Sequence, residues 1–281
     1  MTNPQKLSEQ IAAKIINLPV WESEPKLTVI EAGRTNTNFK AEVDDKTYFV
    51  RYGDDLPHHL IYRENEKLAI SVAEKADLAP KIIYAEDGFL ITDFIKGQTL
   101  KVGDVENDNC LCNIARLLKG LHTLDFRGIK NDFDLHQIVD TYLEKLGDKI
   151  SPKWRLGIEK MIRKLPSFKD NSLIHGDVLN ENFIDDGERL WLIDWEYAGI
   201  GNPAIDLAMC ATNFDLTEAQ VEQLVKVHGL CSLRDVLALI PVLAAREALW
   251  TKVQIEQVGL IGDLETYSKL CDERLTAYFD I

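Results

Sequence analysis

A change of sequence pattern near residue 96 constrains the fold of this chain more than any other feature. Residues 27–52 alternate apolar and polar positions and are rich in β-branched and aromatic side chains, which indicates an antiparallel β-meander. A helix is predicted over residues 62–77, and two further strands are predicted in KIIYAED and GFLITDF. Helical spacing then dominates over 104–124, 134–149, 153–165, 203–230 and 232–278. The sequence therefore predicts an α+β protein, with a small antiparallel β lobe (residues 1–95) before a larger, mainly α-helical lobe (residues 96–281).

Composition narrows the class of protein. No stretch approaches the ~18 uninterrupted apolar residues of a membrane helix, and the N-terminus lacks the apolar core of a secretory signal, so we expect a cytoplasmic protein without membrane insertion. The net charge of −14 argues against a nucleic-acid partner, which needs a basic face, and permits a cationic substrate. Five cysteines, an odd number, favour free thiols over a disulfide framework or a zinc site.

The segment HGDVLNEN, residues 175–182, carries the clearest chemical signal, and IDWE follows it at residues 193–196. The residues between them read as a hairpin with Asp-Gly at its turn, which brings Asn182 and Asp194 to one end of a two-stranded ribbon. Phosphoryl transfer needs a carboxylate that orients the attacking hydroxyl and oxygen ligands for Mg²⁺. Asp177 fits the first role, and Asn182 and Asp194 fit the second. The alternative is a common Asp-Gly turn beside a core histidine, His175.

The pattern HGDxxxxN, followed by a short hairpin and IDWEYAGIGNPAIDLA, resembles the aminoglycoside phosphotransferase and choline kinase superfamily. WEYAG is similar to the choline/ethanolamine and thiamine kinase branches, and the resemblance covers about residues 28–255. It implies a two-lobed protein-kinase-like fold that uses ATP and Mg²⁺. It also implies that Asp177 is the catalytic base, that Asn182 and Asp194 bind Mg²⁺, and that Glu196 is a further carboxylate near the metal. His175 and Asp206 match residues that support the catalytic loop.

The N-terminal lobe extends the resemblance to the phosphate-binding residues. EAGRTNTNF is similar to the family's phosphate-covering loop, with Gly33 and Asn36 at matching positions. FVRYG presents Arg51 where protein kinases have a lysine, and arginine binds phosphate with two hydrogen bonds. Glu64 matches the helix glutamate that is expected to pair with Arg51, and Glu66 is the alternative.

The resemblance also implies an adenine site and an acceptor site. ITDFIKG matches the hinge, where backbone groups of Asp93 and Ile95 would meet the adenine edge. The predicted acceptor residues, besides Asp177, are Trp195, Tyr197, Glu247 and Trp250.

Aromatic faces and carboxylates bind quaternary ammonium groups, and EALWTKVQ resembles a helix found late in choline kinases. Helix packing is the alternative for Trp250, and a position under the metal loop is the alternative for Trp195. The expected function is an ATP-dependent kinase of a cationic alcohol, choline first. Ethanolamine, thiamine and aminoglycosides are the alternative acceptors. A non-catalytic nucleotide-binding module is the alternative of another class.

Overall fold

The computed structural model describes residues 4–30, 35–86, 88–166, 168 and 171–279. Its N-terminal part contains one antiparallel sheet with the strand order β1-β2-β3-β5-β4. The strands are β1 (Lys26–Ile30), β2 (Thr37–Val43), β3 (Lys46–Tyr52), β4 (Ile82–Glu86) and β5 (Phe89–Asp93). The predicted meander is thus confirmed, and helix α2 (Arg63–Glu74) connects β3 to β4 as expected.

One face of this sheet has a small core of its own. Alternate side chains of a strand lie on the same face of a sheet. The strands contribute Phe39, Val50 and Ile91 to this core. A helix that the sequence did not predict, α1 (Pro4–Ile16), covers this face with Ile11 and Ile15. The opposite face and α2 belong to the main core, which extends through the helical part.

The remainder of the chain is mainly helical, which confirms the predicted α+β class. The helices are α3 (Asp108–His122), α4 (Leu135–Leu146), α5 (Pro152–Arg163), α6 (Ala204–Asn213), α7 (Glu218–His228), α8 (Leu233–Val258) and α9 (Leu264–Thr276). Short 3₁₀ turns lie at Pro57–His59, Val102–Glu106, Gly147–Lys149 and Asn180–Asn182. Within the described residues, no helix has the length and apolar character that crossing a bilayer requires.

The two longest predicted helical stretches are each divided in the structure. Residues 203–230 are interrupted after α6, where Asp215 has a φ of 49°, and Thr217 then caps α7 with its side-chain oxygen. Residues 232–278 are interrupted after α8 at Gly259, which has a φ of 80° and ends the helix. Pro241 lies inside α8 without ending it.

Five short strands build the region between the sheet and the helices. They are β6 (Gln98–Thr99), β7 (Ser172–Ile174), β8 (Phe183–Asp185), β9 (Leu190–Leu192) and β10 (Gly199–Gly201). Strands β8 and β9 form the predicted hairpin, with Gly187 at the turn, and β6 pairs with the other edge of β8. Strand β10 pairs with β7, so the chain before and after the hairpin is held on both sides.

Candidate active site

The loop between β7 and the 3₁₀ turn at Asn180–Asn182 is fixed by a buried carboxylate. Asp206, in the first turn of α6, accepts the backbone N–H groups of His175 at 2.7 Å and Gly176 at 2.9 Å. Gly176 has a φ of 74°, and a Cβ there would lie 2.6 Å from the carbonyl oxygen of Tyr197. This left-handed, crowded position requires glycine, and it directs the chain toward Asp177.

Histidine side chains brace the same loop. The ring of His175 is fully buried, and its Nε2 lies 2.9 Å from the carbonyl oxygen of Ile193, in the segment that follows β9. Burial lowers the pKa of His175, which favours the neutral form of the ring. On the other side of Asp206, Nε2 of His122 lies 3.0 Å from the carboxylate, and Nδ1 of His122 lies 2.8 Å from the ring of His228. These contacts agree with the supporting roles expected for His175 and Asp206.

Asp177 and Asn182 are in direct contact. The amide Nδ2 of Asn182 donates to the backbone oxygen of Asp177 at 2.8 Å and to its Oδ2 at 3.2 Å. Burial raises the pKa of Asp177 to about 7; the charge of Arg246 lowers it, and that of Glu247 raises it. The carboxyl group therefore gains and loses a proton near neutral pH, a property that suits proton transfer.

Asp194 lies at the predicted end of the hairpin. The N–H of Ile193 donates to the backbone oxygen of Asn182 at 3.0 Å, which confirms that Asn182 and the start of the IDWE segment meet. Asp194 has a φ of 64°, an unfavourable conformation for a residue other than glycine, and the residue is partly open to solvent although protein atoms surround its carboxylate. Its pKa is raised because surrounding protein atoms displace water from the carboxylate and because Glu196 and Asp177 are negatively charged neighbours.

The oxygen atoms of Asn182 and Asp194 fit a magnesium ion that is bound together with a nucleotide. Neither the amide oxygen of Asn182 nor the carboxylate of Asp194 takes part in a side-chain hydrogen bond among the described residues. No group of three histidine, cysteine or acidic side chains suited to a metal occurs in the part of the chain that the structure describes. Mg²⁺ is commonly held by one or two protein carboxylates together with phosphates and water, so this small donor set suits it.

Glu196 connects the hairpin to the N-terminal sheet. Its Oε1 accepts the hydroxyl of Thr35 at 2.9 Å, and its Oε2 accepts Asn36 Nδ2 and Arg63 Nη1, both at 2.9 Å. To bind the metal as well, this carboxylate would have to share or exchange one of these hydrogen bonds. Metal binding by Glu196 stays a prediction.

Arg63, which the sequence analysis did not single out, is the centre of this connection. In addition to Glu196, its guanidinium donates to Glu66 Oε2 at 3.0 Å, to Asn36 Oδ1 at 2.6 Å and to the backbone oxygen of Asp54 at 3.0 Å. All three nitrogens of the guanidinium therefore donate. Its position at the first residue of α2, directly before the two candidate glutamates, was the only sequence signal for this role.

Arg51 pairs with Glu66, so the prediction that Glu64 is its partner is wrong. Arg51 Nη2 lies 2.5 Å from Glu66 Oε2, and Nη1 lies 3.3 Å from the backbone oxygens of Gly53 and Gly88. Glu64 is exposed.

The geometry of α2 explains this choice. Glu66 shares a face with Ala69, Ile70 and Ala73, all of which are buried. Each residue advances about 100° around a helix, so Glu64, two positions earlier, lies on the other side.

The other residues predicted to contact the nucleotide are Gly33, Asn36, Asp93 and Ile95. Gly33 lies outside the described residues, and Asn36 is held between Glu196 and Arg63. At the predicted hinge, the N–H of Asp93 donates to the carbonyl oxygen of Lys81 at 3.0 Å. The N–H of Asp93 is therefore occupied, and the adenine contacts of Asp93 and Ile95 stay predictions.

A pocket opens beside Asp177 among helices α6, α8 and α9. Glu247, a predicted acceptor residue, lies on its wall and accepts the hydroxyl of Tyr267 at 2.7 Å. Arg246, which the sequence analysis missed, lies on the same wall. The lining residues are Asp177, Met209, Thr212, Asn213, Leu243, Ala244, Arg246, Glu247, Cys271 and Arg274.

The three predicted aromatic acceptor residues are buried beneath this region. Trp195 is 1% exposed and donates its Nε1 to the backbone oxygen of Leu192 at 3.0 Å, so the prediction that it contacts the substrate is wrong. Trp250 donates its Nε1 to the hydroxyl of Tyr197 at 2.7 Å and stacks on His59 at 5.3 Å between ring centroids. Neither Tyr197 nor Trp250 lines the described pocket, which supports the packing alternative for Trp250.

Comparison with known proteins identifies the family. Residues 27–224 match the family described as choline/ethanolamine kinase. "Protein LicA" from Haemophilus influenzae is 26% identical over 86% of this chain and 78% of its own length. A thiamine kinase from Escherichia coli is also 26% identical, over 83% of this chain and 84% of its own length.

Solved structures share the fold. The choline kinase LicA from Streptococcus pneumoniae superposes with a TM-score of 0.80, at 22% identity, over 98% of both chains. A structure of LicA in complex with AMP gives a TM-score of 0.77, at 22% identity, over 99% of this chain and all of that one. These likenesses confirm the predicted kinase-like fold.

Proposed function

The chain belongs to the choline/ethanolamine kinase family and is a phosphotransferase with an alcohol acceptor, and we propose that it transfers the γ-phosphoryl group of ATP to a small amino alcohol. The observation that carries this proposal is the position of Asp177. Asn182 holds its carboxylate, Asp206 fixes its loop, and it lies on the wall of the pocket.

In this proposal, the acceptor hydroxyl donates a hydrogen bond to Asp177, which takes the proton as the oxygen attacks the γ-phosphorus of ATP. The bond between that phosphorus and the bridging oxygen breaks, and ADP leaves with the electron pair. Mg²⁺ bound to Asn182 and Asp194 would neutralise charge on the phosphates. The fixed loop orients Asp177 before the substrate arrives, and catalysis consists mainly of positioning and charge stabilisation.

The nucleotide is proposed to lie between the N-terminal sheet and the hairpin. The Arg51–Glu66 pair supports this position, since it is the cation and carboxylate arrangement that kinases place near the phosphates. The AMP complex of a protein with the same fold supports ATP as the phosphoryl donor.

The acceptor is proposed from charge and from the names of the relatives. Glu247 gives the pocket a carboxylate beside Asp177 that can pair with the ammonium group of an amino alcohol, while Arg246 and Arg274 in the same lining balance the two negative charges. Choline is the first acceptor expected from the sequence, with ethanolamine, thiamine and an aminoglycoside as alternatives. A binding module without catalysis is less well supported, because the chain has a candidate base and candidate magnesium ligands.

The test is ADP release with Mg²⁺-ATP over choline, ethanolamine, thiamine, amino alcohols with a carboxylate, and an aminoglycoside. We expect at least one alcohol to stimulate ADP release, and Asp177→Asn to remove the stimulation while ATP still binds. ATP binding without stimulation by any alcohol would favour the binding module.

A further inference from the structure

Arg246 is a buried cation with few partners. Its side chain is 4% exposed, and its guanidinium lies over the rings of Tyr197, at 4.9 Å, and Phe133, at 5.6 Å. Among the described residues, its one hydrogen bond runs from Nη1 to Glu247 Oε2 at 3.5 Å, and its Nε has no acceptor. A guanidinium has five N–H donors, and leaving such donors buried and unpaired is costly.

Glu247 is a weak partner for this cation. A distance of 3.5 Å is at the limit for a hydrogen bond, whereas charge-assisted bonds are commonly about 2.7–2.9 Å long. The other oxygen of Glu247 already accepts the hydroxyl of Tyr267 at 2.7 Å. Arg63, in contrast, donates from all three nitrogens to acceptors at 2.6–3.0 Å.

The location of Arg246 indicates what its donors bind. It lines the same pocket as Asp177 and Glu247. An alcohol whose hydroxyl lies at Asp177 would therefore place its other groups near one further carboxylate and two cations, of which Arg246 is buried and Arg274 is partly exposed. The face of Tyr197 is already covered by the guanidinium, so it does not offer the free aromatic surface that a quaternary ammonium group requires.

We propose that Arg246 binds a carboxylate on the acceptor, and that the preferred acceptor is a zwitterionic amino alcohol. The carboxylate lies on the guanidinium, the ammonium group lies beside Glu247, and the hydroxyl lies at Asp177. The planar guanidinium matches a carboxylate with two parallel hydrogen bonds, which provides the acceptors that Arg246 lacks. This inference rests on the proposed function and narrows its acceptor from amino alcohols in general to those that carry an anion.

Two matched pairs of compounds test this inference. Serine differs from ethanolamine by one carboxylate, and homoserine differs from 3-aminopropan-1-ol in the same way. Binding to the wild-type protein is measured by calorimetry, and kcat/KM by ADP release. We expect the carboxylate-bearing member of at least one pair to bind about 10- to 100-fold more tightly, as for hydrogen bonds to a charged group. The inference is overturned if neither carboxylate-bearing compound binds more tightly than its partner.

Variants at Arg246 separate substrate binding from support of Asp177. In Arg246→Gln, the ratio between the two members of a pair should fall toward one, with the loss appearing in KM of the carboxylate-bearing compound. Arg246→Lys, which keeps the charge, should retain part of the ratio. If Arg246 only stabilised the ionised form of Asp177, both members would lose activity equally and the ratio would stay constant, which would overturn the inference.

The same measurements distinguish a failure of this inference from a failure of the proposed function. Efficient phosphorylation of choline or ethanolamine, with weaker binding of both carboxylate-bearing compounds, would preserve the kinase and overturn the role of Arg246. Preferential binding of serine or homoserine without phosphorylation of any alcohol would support the role of Arg246 and contradict the kinase.

Discussion

Two polar regions flank the hairpin, one beside the N-terminal sheet and one among helices α6, α8 and α9. They differ in how many N–H groups of their buried arginines are hydrogen-bonded. On the sheet side, Arg51 and Arg63 share Glu66, and Arg63 continues to Glu196. Among the described residues, Arg51 leaves only its Nε unpaired, and Arg63 leaves no nitrogen unpaired. On the helix side, Arg246 makes one long hydrogen bond to Glu247.

This difference suggests two kinds of site. A bonded network of buried charges fixes its own geometry, because removing one member leaves the others unpaired at high cost. The sheet side is therefore a preformed frame, and we propose that it binds the phosphates. On the helix side, Arg246 keeps an N–H donor, its Nε, for which the described part of the chain has no acceptor, so its guanidinium is suited to a ligand that brings its own negative charge.

The largest expected effect is on Asp177, which lines the proposed acceptor pocket. Asp177→Asn keeps the shape of the side chain and removes its capacity to accept a proton, so kcat should fall roughly 10²- to 10⁴-fold. ADP release measures this change. Glu181→Gln is the matched control, since Glu181 is an exposed carboxylate in the same loop, and it should keep wild-type turnover. Equal activity of Asp177→Asn and the control would remove Asp177 from the mechanism.

The next effect concerns the frame on the sheet side. Glu66→Gln leaves two buried guanidinium groups without their shared carboxylate, so the free energy of unfolding should fall by about 3–5 kcal/mol, and KM for ATP should rise. Denaturant unfolding and ADP release measure the two effects. The control is Glu64→Gln on the exposed face of α2, which should change stability by less than about 0.5 kcal/mol. Similar losses in both variants would contradict the assignment of Glu66.

The third effect concerns His59, which packs against the rings of Tyr142 and Trp250. The question is whether water is excluded from this group of aromatic side chains. Burial lowers the pKa of His59 to about 3, whereas the pKa of histidine in an unfolded chain is about 6.5. Below pH 6.5, the unfolded chain takes up a proton that the folded protein excludes. The free energy of unfolding should therefore decrease as the pH falls, by roughly 2 kcal/mol between pH 6.5 and pH 5 from this group.

The measurement compares unfolding of the wild type and His59→Gln at pH 7 and pH 5. His59→Gln should lose less stability on acidification than the wild type. An equal loss in both proteins would mean that water reaches His59.

The smallest effect concerns the hydrogen bond between Trp250 and Tyr197. Trp250→Phe and Tyr197→Phe should each lower the free energy of unfolding by about 1 kcal/mol through loss of this bond, in addition to any packing change. The double variant should cost less than the sum, because both changes remove one interaction. Strict additivity in thermal or denaturant unfolding would show that the bond contributes nothing.

Sequence periodicity predicted the helices and strands in which apolar residues clearly mark one face. The meander, α2 and the hairpin have regular alternation or helical spacing and clear turn residues, and each appeared near its predicted bounds. Helix α1 was missed because its two sheet-facing residues, Ile11 and Ile15, form only a short apolar stripe. Its partner surface is created by strands that follow much later in the chain.

The site was predictable where spacing along the chain determines contact. Asn182 is bonded to Ile193, the residue before Asp194, because a tight hairpin joins them, and the sequence contains that hairpin. Partners from separate elements were harder to identify. Glu64 and Glu66 lie on different faces of α2, and only the face with Glu66 meets Arg51. Arg246 lies over two aromatic rings that belong to other segments of the chain, Phe133 and Tyr197. A charged residue directly after the apolar run PVLAA (residues 241–245), inside α8, was the one sequence signal for Arg246.

The central claim, phosphoryl transfer to an alcohol at Asp177, is tested most directly by ³¹P NMR. The wild type is incubated with Mg²⁺-ATP and the best acceptor from the ADP-release panel. We predict a new phosphomonoester resonance that grows in step with ADP and is absent with Asp177→Asn. Formation of ADP with inorganic phosphate alone, at the same rate with and without acceptor, would contradict the account.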